Sequence, residues 1–162
     1  MIPFYQNIPI ISYIIQMGKC NQCSGRISIR YPMVEVISAI TLLLSMKLFP
    51  NPEASLFYWM FVHLLVMTII DEEWMQIPIS VLISMALGLI LFHFIWTADL
   101  MVPISGLIVG SGFIVFVVGL NWLIFHKQTM GYGDIIIVAI LGAWLGAIKI
   151  FLTIFLASVL AL

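Results

Sequence analysis

Hydrophobic residues form long blocks along this chain, without the strict alternation of a half-buried strand. Five blocks approach the roughly 20 apolar residues that a helix needs to cross a bilayer. These blocks are residues 33–49, 54–70, 78–96, 102–125 and 134–146. Polar or proline-rich joints separate them, such as Pro50-Asn51-Pro52 and Asp71-Glu72-Glu73. The pattern predicts an all-α fold, a polytopic transmembrane helix bundle with about five to six membrane segments.

The two ends of the chain are predicted to differ from these spans. Residues 151–162 are apolar throughout, but they are too few to cross a bilayer unless they continue the preceding helix. The chain therefore looks truncated at this end. Residues 1–16 are rich in isoleucine and are typical of an interfacial segment. We predict two parts: a cytoplasmic or interfacial segment over residues 1–32, and a transmembrane bundle over residues 33–162.

The composition indicates which solvent surrounds this bundle. Hydrophobic residues make up 64% of the chain and charged residues only 8%, whereas soluble domains carry about 25% charged residues. So few charges cannot cover a water-facing surface, so the lipid bilayer is the expected partner for most of it. Six Lys and Arg stand against seven Asp and Glu, which leaves no basic stripe for nucleic acid.

The few cations predict the orientation, because short cytoplasmic loops are enriched in Lys and Arg. Lys47 and Lys149 would lie on one side of the membrane and the other four on the opposite side. Those four are Lys19, Arg26, Arg30 and Lys127. Residues 1–32 are therefore predicted to be cytoplasmic. Because two spans separate Asp71 from Asp134, both aspartates are predicted to reach this same face.

Asp71 and Asp134 are the candidate catalytic residues. Ionisable groups at the edge of a membrane span are costly and indicate function. Two carboxylates close together share one proton, so that one acts as base toward a water while the other polarises a carbonyl. Gly131 and Gly133, just before Asp134, would let a substrate peptide approach closely. Two structural alternatives stay open: Asp134 as a cap of its helix, and Asp71 as one acidic residue of a solvated loop.

Two smaller patterns complete the candidates. Cys20 and Cys23 have the spacing of half a four-thiolate zinc site, but a lone pair is a weak signal. Two unliganded thiols are the plain alternative, and a redox pair lacks the surrounding βαβ pattern. Glycines four residues apart recur in the fourth and fifth spans, where small residues allow close helix packing. They are Gly106, Gly110, Gly142 and Gly146.

Three groups of motifs are distributed along nearly the whole chain. The first comprises residues 7–13 (Asn-Ile-Pro-Ile-Ile-Ser-Tyr), 20–23 (Cys-Asn-Gln-Cys) and 29–35 (Ile-Arg-Tyr-Pro-Met-Val-Glu). The second is residues 70–78 (Ile-Asp-Glu-Glu-Trp-Met-Gln-Ile-Pro). The third comprises residues 130–134 (Met-Gly-Tyr-Gly-Asp) and 141–146 (Leu-Gly-Ala-Trp-Leu-Gly). In this order and spacing they resemble the type IV prepilin peptidase (leader peptidase) family.

The resemblance implies a multi-pass GxGD-type aspartic protease of the bacterial inner membrane. Members of the family are hydrolases that cleave the leader peptide of type IV prepilins and of type II secretion pseudopilins, at the cytoplasmic membrane face. Asp71 and Asp134 match the family's two catalytic aspartates. Bifunctional members also methylate the new N-terminus with S-adenosylmethionine, and their cytoplasmic loop carries two C-x-x-C pairs that can bind zinc.

Compared with the family pattern, this chain is short at both ends. It begins within the cytoplasmic loop, so the first span and the first cysteine pair are missing, and it stops before the last spans. The expectation is a prepilin endopeptidase that needs no cofactor for proteolysis. Cys20 and Cys23 are then candidates for part of a zinc site, and N-methylation is not assured. The alternative is a catalytically impaired, truncated paralogue that binds a prepilin or an assembly partner.

Overall fold

Helices dominate the structure, a computed structural model that describes residues 8, 10–21, 23–97, 99–126 and 131–160. The helices are α1 (Ile11–Ile15), α2 (Arg30–Leu48), α3 (Glu53–Trp74), α4 (Ile79–Phe92), α5 (Met101–Phe125), α6 (Tyr132–Leu145) and α7 (Ala147–Leu160). A π-helical turn, His93–Thr97, extends α4. Within the described ranges, the extended pairing is limited to an isolated bridge between Lys19 and Arg26.

Four helices among the described residues are long and apolar enough to cross a membrane. They are Arg30–Leu48, Glu53–Trp74, Ile79–Thr97 and Met101–Ile124. Tyr132–Leu145 and Ala147–Leu160 are shorter apolar helices. A helix satisfies its own backbone hydrogen bonds, which is why apolar blocks of this length fold this way in lipid. The predicted all-α, polytopic membrane bundle is confirmed.

The end of α3 differs from the prediction. The helix continues to Trp74, so Asp71, Glu72 and Glu73 form its last turn instead of a loop. It ends because Met75 adopts a left-handed backbone conformation with φ 49° and its N–H donates to the Asp71 carbonyl at 2.8 Å. This geometry is the usual way to close a helix. Acidic residues, glutamate in particular, are compatible with a helix. Their charge predicts the end of α3 at this point, although charge by itself does not end a helix.

The apolar end of the chain forms a short helix of its own and does not continue the preceding one. The helix α6 ends at Leu145, because Gly146 breaks the path with φ 82°. A positive φ of this kind strains any residue with a side chain. The helix α7 then begins at once, at Ala147. The last 29 residues of the described chain thus form two short helices joined at one glycine.

The chain divides into two compact units, the first being residues Met1–Leu65. Its N-terminal part holds a tight reversal, in which the Ile27 N–H donates to the Gly18 carbonyl at 2.8 Å. The Ile10 N–H donates to Glu35 Oε2 at 2.6 Å, which ties the start of α1 to α2. Residues 1–7 of the predicted interfacial segment lie outside the described residues.

The second unit, Val66–Leu162, contains the end of α3 and all later helices. Its centre is the crossing of α5 with α6, where a Cβ on Gly106 would meet the Gly142 carbonyl group. The two backbones are therefore in direct contact, a close approach that the glycine spacing allows. The helix α7 packs on α5. The rings of Phe113 and Phe151 lie edge to face there, with their centroids 5.6 Å apart.

Candidate functional site

Asp134 lies in the first turn of α6 and is half-buried. Its Oδ2 accepts the Gly131 N–H at 3.1 Å, and its own N–H donates to the Gly131 carbonyl at 3.2 Å. Gly131 is the N-cap residue, with an extended backbone at φ −78° and ψ 156°. The carboxylate thus takes up one of the backbone donors that the start of a helix leaves unpaired. Asp134 is therefore not the N-cap residue itself, but its carboxylate caps the Gly131 N–H from the third position of the helix.

Gly133 lies one residue before Asp134 and is in contact with a distant part of the chain. A Cβ built on Gly133 would lie 2.9 Å from Ile77 Cδ1 and 3.3 Å from Ile77 Cβ. The Ile77 side chain therefore fills the space that a side chain at position 133 would need. A Cβ on Gly131 would meet Asp134 Oδ2 at 3.7 Å, an ordinary contact. The two glycines of the predicted substrate-approach loop have different surroundings.

Asp71 lies in the last turn of α3 and is exposed, as are Glu72 and Glu73. The loop alternative for Asp71 is wrong, because all three residues are helical. Their position is electrostatically unfavourable, since the C-terminal end of a helix carries a partial negative charge. A purely structural last turn would favour Lys or Arg at these positions.

A short connector joins the acidic turn of α3 to α4. It consists of Met75, Gln76, Ile77 and Pro78, and Pro78 is the N-cap residue of α4. Met75 is 90% exposed and Gln76 is exposed, whereas Ile77 is half-buried. The connector thus turns Ile77 inward, onto Gly133.

The contact between Ile77 and Gly133 brings together the two segments that carry the aspartates. Asp71 precedes Ile77 by less than two helical turns of sequence, and Asp134 directly follows Gly133. The pairing of the two carboxylates stays a prediction. Lys127 and Met130, in the segment before Gly131, lie outside the described residues. Sequence reasoning missed Ile77, because an isoleucine in an apolar chain carries no signal of a long-range contact.

Cys20 and Cys23 lie in the reversal near the start of the first unit. Cys20 is half-buried and Cys23 is exposed, and neither is in a disulfide. The Cys20 N–H donates to the Gly25 carbonyl at 2.9 Å, and the Ser24 N–H donates to the Cys20 carbonyl at 2.8 Å. Among the described residues, no three His, Cys, Asp or Glu side chains cluster as metal ligands. These residues offer two of the four thiolates of a structural zinc site and do not by themselves fit the ion.

Two family profiles match the chain. The type IV leader peptidase family matches residues 58–162, and the bacterial peptidase A24 N-terminal domain matches residues 1–49. No solved structure matches the chain.

Curated relatives carry the name prepilin leader peptidase/N-methyltransferase. One from Pseudomonas putida is 34% identical over 158 residues, which cover 96% of this chain and 55% of that protein. One from Pseudomonas aeruginosa is 35% identical over 156 residues, covering 95% and 54%. One from Neisseria gonorrhoeae is 32% identical over 172 residues, covering 98% and 56%. The chain spans about half the length of these relatives.

The matched profile covers α3 from residue 58 onward and every later helix. It thus includes the acidic last turn of α3, the connector with Ile77 and the first turn of α6. The chain is a multi-pass membrane protein that belongs to the type IV leader peptidase family.

Proposed function

We propose that this chain is an endopeptidase that removes the leader peptide from type IV prepilins or pseudopilins, with Asp71 and Asp134 as its aspartyl dyad. The observation that carries the proposal is the contact of Ile77 with Gly133. It joins the connector that follows α3 to the first turn of α6, so that it links the segment after Asp71 with the residue before Asp134. Family membership supplies the reaction class, and the relatives' name supplies the substrate class.

The electrostatics of the two helix ends suggest separate roles. The N-terminus of α6 and the Gly131 N–H both favour a negative charge on Asp134. Asp71 stands at the other kind of helix end, in the C-terminal turn of α3. We assign Asp134 as the base and Asp71 as the acid of a dyad that shares one proton.

The reaction then balances with one water and no other reactant. Asp134 takes a proton from the water as its oxygen bonds to the scissile carbonyl carbon, and Asp71 gives its proton to the carbonyl oxygen. A gem-diol results, and the dyad again holds one proton. Collapse of the diol breaks the C–N bond, sends the dyad's proton to the leaving nitrogen and returns a hydroxyl proton to the dyad.

The proposed site is at the cytoplasmic face of the bacterial inner membrane. The helix α4 together with its π-helical turn, Ile79–Thr97, and the helix α5 are each long enough to span a membrane. A chain that crosses twice would therefore return Asp134 to the face of Asp71. The cations Lys19, Arg26 and Arg30, near the start of the chain, favour that face as cytoplasmic. In this proposal, residues 1–32 form the cytoplasmic or interfacial part and residues 33–162 the membrane-embedded peptidase.

Proteolysis in this scheme requires no cofactor. The relatives' printed name includes an N-methyltransferase, a reaction for which S-adenosylmethionine would be the methyl donor. The described Cys20 and Cys23 do not complete a zinc site, so no step is assigned to zinc.

A second candidate function is a non-catalytic membrane protein that binds prepilins or an assembly partner. The observation that favours it is the bond between Asp134 Oδ2 and the Gly131 N–H, which gives Asp134 a structural use without catalysis. In that case Asp134 serves as a helix cap alone.

Asp134→Asn separates the two candidates, because asparagine keeps an acceptor for the Gly131 N–H but loses the charge and the basicity. The assay is leader cleavage of a prepilin by this chain in liposomes, with the apparent unfolding temperature measured in parallel. We expect cleavage to be lost in Asp134→Asn and in Asp71→Asn, with little change in unfolding temperature.

The matched control is Asp99→Asn. Asp99 is also a capping aspartate, since its Oδ1 accepts the Met101 N–H at 2.9 Å ahead of α5. Cleavage should survive this substitution. Cleavage that survives Asp134→Asn as well would refute the dyad and leave the helix cap as the role of Asp134.

A further inference from the structure

We propose that Ile77 is a positioning residue of this peptidase. Its side chain, packed on Gly133, would hold the acidic end of α3 at a fixed separation from the first turn of α6. This inference rests on the proposed function, because the separation matters only if Asp71 and Asp134 act together. Ile77 itself takes no part in the chemistry.

The connector leaves Ile77 little freedom. On one side, Met75 is locked in a left-handed conformation by the bond from its N–H to the Asp71 carbonyl. On the other side, Pro78 caps α4, and the Val81 N–H donates to its carbonyl at 3.1 Å. A residue between two anchored helix ends cannot move far without moving a helix. Its side chain therefore transmits position from α6 to α3.

The surface that Ile77 meets is equally well held. Gly133 lies between Gly131 and Asp134, which bond to each other through both backbone and carboxylate. Ile77 Cδ1, Cβ and Cγ1 lie 2.9, 3.3 and 3.6 Å from the Cβ position of Gly133. Glycine at 133 thus admits the isoleucine, and the isoleucine fills the space that glycine leaves.

Shortening this side chain should lower the turnover number more than the apparent affinity for substrate. Ile77→Ala removes the atoms that bridge the two segments without removing an assigned substrate contact. Misplacement of a catalytic group by about 1 Å can cost on the order of 100-fold in rate. We expect kcat to fall by about tenfold or more in Ile77→Ala, with KM nearly unchanged. Ile77→Val keeps the branched Cβ and should recover most of kcat.

A cysteine pair tests the geometry independently of activity. With Cys20 and Cys23 replaced by serine, the variant carries Ile77→Cys and Gly133→Cys. The Cβ positions lie 3.3 Å apart, close to the roughly 3.5–4.5 Å that disulfides span. Mild oxidation should link them, shown by an electrophoretic shift that dithiothreitol reverses. The control pair, Met75→Cys with Gly133→Cys, should link far less, because Met75 points to solvent with 90% exposure.

The oxidised pair also tests positioning directly, through prepilin cleavage before and after reduction. A positioning contact predicts that the oxidised form cleaves at least as well as the reduced form, because the disulfide holds the separation that Ile77 normally sets. Absence of the disulfide, or an oxidised form that regains cleavage only on reduction, would overturn the role of Ile77. So would an unchanged kcat in Ile77→Ala beside an active wild-type chain. A wild-type chain that cleaves no prepilin would instead overturn the proposed function, and the role of Ile77 with it.

Discussion

Two glycine contacts in the second unit look alike in sequence but differ in what they touch. At the crossing of α5 and α6, the space beside Gly142 is taken by backbone: a Cβ there would meet the Gly106 carbonyl oxygen, with the carbonyl carbon at 2.8 Å. At the start of α6, the space beside Gly133 is taken by the tip of a side chain, Ile77 Cδ1 at 2.9 Å.

The difference shows what each contact can tolerate. Backbone at a helix crossing cannot yield without separating the helices, since each carbonyl is held in its own helix. An isoleucine tip can change rotamer or be shortened. The first contact therefore serves the fold, and the second is adjustable and stands beside a candidate catalytic residue.

The largest expected effect comes from Gly142→Ala. The added methyl group meets backbone, so α5 and α6 must separate, at a cost at or above the ~1–3 kcal/mol typical of an overpacked core. The apparent unfolding temperature in detergent should fall clearly. Because the clash involves no side chain of Gly106, shortening neighbouring side chains should not restore stability.

An intermediate effect is expected from Gly133→Ala. Its methyl group meets Ile77, so stability should fall by about 1 kcal/mol, toward the lower end of the overpacking range. Prepilin cleavage should fall as well, because Asp134 follows directly.

The second substitution Ile77→Val, which removes Cδ1, should restore part of both losses in Gly133→Ala. The readout is a double-mutant cycle on unfolding temperature and on kcat. Strictly additive effects of the two substitutions would show that these side chains do not meet.

The sequence predicts the spans well and the contacts poorly. Blocks such as residues 102–125 announce α5 because length and apolarity are local properties. The acidic run that begins at Asp71 predicts the end of α3 about one turn too early. The helix is in fact closed by Met75, a residue with no particular preference for the left-handed conformation. The charged residues marked a polar end of the span, but the helix itself ran past them.

The residues of the candidate site also differ in how well the sequence predicts them. Asp71 and Asp134 stand out in sequence because ionisable residues are rare in a chain with 8% charged residues. Ile77 does not stand out, since it is one apolar residue among many and its partner is distant in sequence. The glycine spacing predicts the close helix crossing at Gly142. It does not predict the contact of Gly133 with Ile77, which is distant in sequence.

A small effect on stability is expected from Gly131→Ala. Its Cβ would make only an ordinary contact, 3.7 Å from Asp134 Oδ2, and its backbone angles suit alanine. The weaker N-cap preference of alanine should cost about 0.5–1 kcal/mol. If a substrate peptide approaches along this exposed residue, KM for prepilin should rise while kcat stays near wild type. A change in kcat alone would instead place the effect at Asp134.

The smallest expected effect, and the one of opposite sign, comes from Gly112→Ala. Gly112 is exposed within α5, and a Cβ there would meet no atom within 4 Å. Glycine costs a helix interior about 0.8–1.0 kcal/mol relative to alanine, so the unfolding temperature should stay level or rise. This is the same chemical change as in Gly142→Ala, made in the partner helix of the same crossing. A loss of stability as large as that of Gly142→Ala would show that the crossing is sensitive to any added methyl group. Opposite signs would assign the cost at Gly142 to the backbone contact itself.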